Sequence, residues 1–350
     1  MTPVEAEPVR LGVVGVGRMG RLYARIIVEQ PGCALAAICG KSAGPVDALV
    51  KNYGIPGYPA GQVGRMLDEH PEVNAVIVAT PEWDHLGPSL EVLRRGKSLL
   101  LEKPMATSLA DARSLATAVR KSGATFMLCQ VLRFDPRFAV LQEAVRAKTI
   151  GRIRRIQARR DASAEAYARV AGRCPLPYWL LPHDIDIALW VSDCAPTRVA
   201  AQGIIQADGS PAGLVVELEL DQDVRVTLES CWLHAGLPGR PHLDQMTLIG
   251  EEGRIEICPD EQGVLIYSRG GGVAPDTVYC PEVQGTLAGA FPEMVRHFLW
   301  CVRSGGRPAV GAGEGLRTMA VAAAIEQSLK TGGPVVPEPV AASEGASCPS

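Results

Sequence analysis

The chain has 350 residues, 47% of them hydrophobic and 21% charged, with a formal net charge of -3. That length suits two domains that each bury a core, and so small a charge excludes an electrostatic drive toward nucleic acid or an anionic membrane, leaving small molecules as the expected partners. Ten cysteines without one C-x-x-C pair exclude a zinc ribbon or a disulfide scaffold; with no apolar leader in MTPVEAEPVR and no uncharged run of spanning length, the expected setting is cytoplasmic.

From Val9 to Gln130 the apolar runs Leu11 to Val14, Leu35 to Cys39, Ala75 to Ala79 and Ser98 to Leu101 alternate with helical stretches, and Thr125 to Gln130 closes the series. This predicts an α/β N-terminal Rossmann domain, a doubly wound parallel sheet over residues 1–128. The first run leads directly into Gly15-Val16-Gly17-Arg18-Met19-Gly20, a G-x-G-x-x-G turn between strand and helix. Gly15 allows the tight turn, Gly17 lets backbone approach a diphosphate, and Gly20 lets helix and strand pack closely, so a dinucleotide is the expected ligand. Some 20 residues on, where a carboxylate would bind the adenosine ribose, stands Cys39-Gly40-Lys41-Ser42. Lys41 with the Ser42 hydroxyl predicts 2′-phosphate binding, hence NADP with NAD as the alternative, and Arg18 supplies a cation for the adenine face. Past the fourth run, Lys103 follows the carboxyl end of a parallel strand, where open α/β sheets bind ligands, and Pro104 fixes the backbone behind it. Ser108 with Asp111 and Gly123 bracket the next helix.

After Arg133 a helix, Pro136 to Ala147, leads into Ile153 to Arg160, Arg198 to Ile205, Leu214 to Leu220, Val224 to Cys231, Gln245 to Ile249, Arg254 to Cys258 and Val264 to Tyr267. Strands without intervening helices predict an α+β C-terminal substrate domain with a largely antiparallel open sheet, residues 129–337. Helices near Phe291 to Arg303 and Gly313 to Leu329 close it, and residues 338–350 read as a disordered tail. The basic stretch Arg152-Ile153-Arg154-Arg155-Ile156 with Arg159-Arg160 reads as the solvated face and edge of a strand. In His183-Asp184-Ile185-Asp186, the spacing of Ile187 and Trp190 puts His183 at or just before a helix start, where it can relay a proton. Asp184 and Asp186 offset the helix dipole, and no metal is expected, because side chains on one turn diverge and no further ligand stands near.

The order and separation of these motifs resemble the Gfo/Idh/MocA family of oxidoreductases, named for glucose-fructose oxidoreductase and inositol dehydrogenase. The resemblance runs from about Val9 to Val336 through the glycine turn, Ala79-Thr80-Pro81 with His85, Glu102-Lys103-Pro104, Arg133-Phe134-Asp135-Pro136 and His183-Asp184-Ile185-Asp186. It implies that Lys103 lies beside the nicotinamide as proton donor or acceptor, or orients the substrate hydroxyl, and that the loop of Thr80, Pro81 and His85, with Glu102, lies against the cofactor, where His85 either bonds a ribose or phosphate or only caps a helix. Arg133, after the strand ending at Gln130, either binds a polar substrate group or pairs with Asp135. The implied substrate is a sugar, cyclitol or derivative, and the open sheet face makes a homo-oligomer. The family's usual Asp-x-x-x-His departs here, because Trp179 stands four before His183. Three readings follow: His183 acts with Lys103 alone, Asp184 substitutes, or Tyr178 and Trp179 form an apolar wall, the first and third together being favoured. Reduction of an imine or another carbonyl, redox-neutral glycoside chemistry and a non-catalytic NADP-binding regulator are the alternatives.

Overall fold

A computed structural model describes residues 7–170, 174–207, 211–232, 242–257, 263–264, 266–268 and 271–340. The chain forms two compact units, Met1–Cys129 with Glu282–Leu316, and Gln130–Pro281 with Arg317–Ser350.

The first unit holds six parallel strands, β1 (Val9–Val14), β2 (Cys33–Gly40), β3 (Gly57–Pro59), β4 (Ala75–Val78), β5 (Ser98–Leu101) and β6 (Phe126–Leu128), in the order β3-β2-β1-β4-β5-β6. Between them run α1 (Arg18–Glu29), α2 (Ala43–Tyr53), α3 (Val63–Glu69), α4 (Leu86–Arg94) and α5 (Leu109–Ser122). This is the doubly wound sheet the sequence predicts. Its strands are buried on both faces, Val76, Ile77, Leu99 and Leu100 included, which is why they read as continuous apolar runs rather than alternating ones. The chain winds outward from β1 through β2 to β3 and then returns to β4 on β1's other side. The carboxyl ends of β1 and β4 therefore form the switch point where such sheets bind ligands. As predicted, the Ser108 side chain caps α5, accepting the Asp111 amide at 3.1 Å, and Gly123 ends it in the left-handed conformation.

In the second unit, α6 (Pro136–Arg146) is capped by Asp135, whose Oδ1 accepts the Arg137 amide at 2.9 Å. The strands β7 (Ile153–Ala162), β8 (Pro196–Ile205), β9 (Pro211–Leu220), β10 (Val224–Cys231), β11 (His242–Gly250) and β12 (Arg254–Ile257) form a sheet in the order β12-β11-β7-β10-β9-β8. All pairs are antiparallel except β7 with β10. Burial alternates along β10, with Val224, Val226 and Leu228 inward and Arg225 and Glu229 outward, the signature of one packed and one open face. Three helices, α7 (Ala164–Ala168), α8 (Leu176–Trp179) and α9 (Leu181–Ser192), follow β7. The arginines of β7 do not guard an edge, because β7 is interior to the sheet, and Arg160 is buried rather than solvated.

The chain closes with α10 (Ala290–Ser304) and α11 (Ala312–Thr331). A division at residue 128 keeps Glu282–Leu316 with the second domain, whereas contacts group it with the first unit: Phe291 packs edge-on against Tyr23 at 6.1 Å, and the Leu128 amide donates to Val310 O at 3.0 Å. Cys258, position 265 and the tail from residue 341 lie outside the described residues. Among the described residues no helix is long and apolar enough to cross a membrane.

Candidate nucleotide and proton-transfer site

The glycine turn leaves β1 with Gly15 at φ 92, a conformation that side chains resist, and a Cβ there would collide with the carbonyl oxygen of Ala79. A Cβ on Gly20 would collide with the Gly15 carbonyl oxygen. At Gly17 an added Cβ meets nothing within 4 Å. Two of the glycines thus serve packing within the protein, and the third opens a cradle of backbone amides. Gly17 is also the N-cap of α1, whose first turn holds no acidic side chain, so the positive end of the helix dipole is left for an anion. Arg18 is exposed there and Met19 half-buried. The residues present fit a nucleotide diphosphate. Gly17→Ala is therefore expected to fold with a denaturation midpoint within about 1 kcal/mol of wild type but to bind nucleotide weakly. Gly20→Ala is expected to lose roughly 1–3 kcal/mol or more of stability through overpacking. Denaturant titration and nucleotide calorimetry on the two variants check the contrast.

At the end of β2, a Cβ on Gly40 would run into Val16 and lie 3.0 Å from Val46 Cγ2, so these valines leave no room for a side chain there. Lys41 and Ser42 are exposed beyond it.

The loops after β4 and β5 are braced together. Thr80 Oγ1 donates to the Asp84 carbonyl at 2.8 Å, Pro81 is exposed, and His85 is buried with Nδ1 2.7 Å from Pro104 O and Nε2 3.1 Å from Thr80 O. Burial pushes the His85 pKa down against the two carbonyls. Its ring nitrogens face protein carbonyls, so it acts here as a strut between loops. Lys103, half-buried, follows β5. The preceding Glu102 accepts the Tyr23 hydroxyl on Oε1 at 2.6 Å and the Lys103 amide on Oε2 at 3.1 Å. Burial raises the Glu102 pKa, opposed by the Tyr23 hydroxyl and by the charges of Lys103 and Arg18. Sequence reasoning missed Tyr23, which the structure buries completely; the sequence shows only a tyrosine three residues past Gly20.

In the second unit, His183 is the third residue of α9, and the Gln130 side-chain amide donates to the carbonyl of Pro182 at 3.2 Å. Asp184 and Asp186 do more than offset a dipole. Arg160 grips Asp184 through two bonds of 2.9 and 3.0 Å, and Arg133 grips Asp186 through two of 2.8 and 2.7 Å while its guanidinium lies 5.0 Å from the centre of the Trp190 ring. Asp135, the alternative partner expected for Arg133, pairs with Arg137 at 2.7 Å instead. Tyr178 is buried, its hydroxyl donating to Glu326 at 2.9 Å, and Trp179 stacks on Trp232 with centroids 4.4 Å apart. The two neighbours expected to form one wall thus have different surroundings. Among the described residues no group of three or more His, Cys, Asp or Glu could hold a metal.

Residues 9–130 match the family model described as an oxidoreductase family with an NAD-binding Rossmann fold, and residues 138–256 match the GFO/IDH/MocA C-terminal domain. A scyllo-inositol 2-dehydrogenase (NAD(+)) of Bacillus subtilis is 24% identical over 343 residues, 93% of this chain and 96% of its own length. Among solved structures, apo scyllo-inositol dehydrogenase from Lactobacillus casei superposes with a TM-score of 0.82 at 21% identity, covering 94% of this chain and 98% of that one. The form of that enzyme with bound NAD(H) and scyllo-inositol gives 0.79 at 20% identity, covering 94% and 99%. Two successive matches to the same family, on the two halves of one architecture, make the chain a member of the GFO/IDH/MocA family of oxidoreductases.

Proposed function

We propose that the protein is a dehydrogenase that prefers NADP(H) over NAD(H) and acts on a ring hydroxyl, or the corresponding carbonyl, of a sugar, cyclitol or related small molecule, with Lys103 as acid/base and His183 assisting. One observation carries this reading: at the carboxyl ends of a single sheet, the open cradle at Gly17 follows β1 and Lys103 follows β5, two strands away. At the usual strand spacing that separation is roughly 10 Å, within the reach of a dinucleotide. When bound, the nicotinamide supplies the hydride acceptor or donor. The Lys103 amine takes the proton from the substrate hydroxyl oxygen on oxidation and returns it to the carbonyl oxygen on reduction. The two Arg–Asp pairs directly after His183 support its role, because they hold the turn that carries it. The inositol dehydrogenases among the relatives support the ring-polyol class.

The cofactor preference is argued from this chain's own residues, since the named relatives take NAD. No carboxylate stands at residues 40–42, valines fill the side-chain space of Gly40, and Lys41 is exposed beside it. Lys41→Asp is expected to lower the ratio of NADP to NAD affinity by about tenfold or more, some 1.4 kcal/mol. Dissociation constants for both nucleotides check this, and an unchanged ratio removes Lys41 from cofactor choice.

A second reading, reduction of a less hydroxylated carbonyl or imine, is favoured by Trp179, which presents an indole stacked on Trp232 where the family pattern has an aspartate. Turnover of scyllo- and myo-inositol, other sugars and imines with either cofactor, followed by nicotinamide absorbance, decides between the two. Homo-oligomer formation is proposed for the open face of the second unit's sheet, with light scattering as its test.

A further inference from the structure

One hydroxyl links the helix that begins at the glycine turn to the strand tip that carries the lysine. Tyr23 lies on α1, three residues past Gly20, and is completely buried. Its ring packs edge-on against Phe291, and its O–H donates to Glu102 Oε1 at 2.6 Å, with Cys129 Sγ 3.4 Å away just past β6. The other Glu102 oxygen accepts the Lys103 amide. One carboxylate thus joins α1, whose N-terminal amides form the cradle, to the residue that bears the amine. A hydroxyl bonded to a carboxyl oxygen at this length is directional, so it defines a position rather than merely filling space.

We propose that Tyr23 and Glu102 are a positioning pair that sets where Lys103 stands relative to the nucleotide-binding end of α1, and hence the reach of its amine to the substrate oxygen. The proposal rests on the acid/base reading of Lys103. Neither residue is assigned contact with the reacting atoms. The groups facing the Glu102 carboxyl are the Tyr23 hydroxyl and Arg18 from α1, Lys103 beside it and Cys129 just past β6. Burial pushes the Tyr23 hydroxyl and the Cys129 thiol well above their ordinary values, so both are neutral at working pH. Without the Tyr23 hydroxyl, Glu102 Oε1 would lack that donor. The carboxyl would then take up a proton or turn away, and Lys103 would lose a neighbouring negative charge or the anchor on its amide.

Tyr23→Phe removes one oxygen and keeps the ring against Phe291. It is expected to melt close to wild type and to bind NADPH within about twofold, while kcat falls about tenfold or more and the acid/base limb of its pH profile shifts. A purely structural tyrosine would lower the melting point and leave that limb in place. Glu102→Gln should lower kcat in the same direction, and the double variant should fall short of the product of the two single effects. Should Tyr23→Phe not fold, Glu102→Asp, which keeps the charge but withdraws it by one methylene, carries the same expectations for kcat and for the pH profile. Unchanged kcat and pH profile in Tyr23→Phe overturn the proposal. If Lys103→Met abolishes turnover at the same time, the acid/base reading stands and only the positioning role fails; if Lys103→Met turns over normally, both fail together.

Discussion

Lys103→Met is expected to lower turnover by about 10²–10⁴-fold while leaving nucleotide affinity near that of wild type. Methionine approximates the length and volume of the lysine stem, so the half-buried side chain keeps its packing and loses only the amine. The contacts holding this segment use other atoms: the Lys103 amide on Glu102, and the Pro104 carbonyl on His85. The cradle at Gly17 lies two strands away and is untouched. A fall in kcat at constant nucleotide Kd is the signature of a group used in the transition state rather than in binding. Steady-state kinetics beside calorimetry checks it, and unchanged turnover removes Lys103 from the chemistry. A nucleotide-binding regulator would show binding in both proteins and turnover in neither.

The second large effect is on stability. Arg160→Met is expected to destabilise the protein by about 3–5 kcal/mol at neutral pH, because it leaves a buried carboxylate without its counter-charge. The side chains of Arg160 and Asp184 are only 7% and 2% exposed, so water cannot replace the lost partner. Burial raises the Asp184 pKa, and Arg160 is the first influence holding it down, so the variant carboxyl titrates higher still. A carboxyl whose folded pKa lies above its unfolded one loses stability as pH rises through the folded value. The gap between variant and wild type should therefore narrow as pH is lowered from neutral to mildly acidic, as far as Asp184 takes up a proton. Arg160→Met with Asp184→Leu should recover much of the loss, since an apolar pair of similar volume needs no counter-charge. Denaturant midpoints at both pH values measure all of this; a single variant as stable as wild type at neutral pH contradicts the account of the pair.

What could be read in advance was local. Continuous apolar runs announce β1, β4 and β5 because a strand covered on both faces has no polar side, and the capping serine and terminal glycine of α5 act within their own turns. The glycine turn was legible for the same reason. β3 was not, since three residues, Gly-Tyr-Pro, are too short to show a period and pair only through contact with β2. Pairings across long stretches of sequence were also hidden. The arginines at 133 and 160 read as a ligand and a solvated charge, and only the fold shows Asp186 and Asp184 in their forks. Val16 filling the space beside Gly40 and Tyr23 reaching Glu102 are of this kind, because each joins two motifs that the sequence presents separately. His85 was expected against the cofactor, and its two carbonyl partners, in loops after different strands, needed coordinates.

The function proposed for this chain depends on where a nicotinamide dinucleotide lies. A crystal structure of the protein grown with NADP tests it most directly. The expected density places the diphosphate on the amides at Gly17 and Arg18, the 2′-phosphate at Lys41, and the nicotinamide ring beside the Lys103 amine. A diphosphate bound away from the glycine turn, or a ring far from that amine, would contradict it.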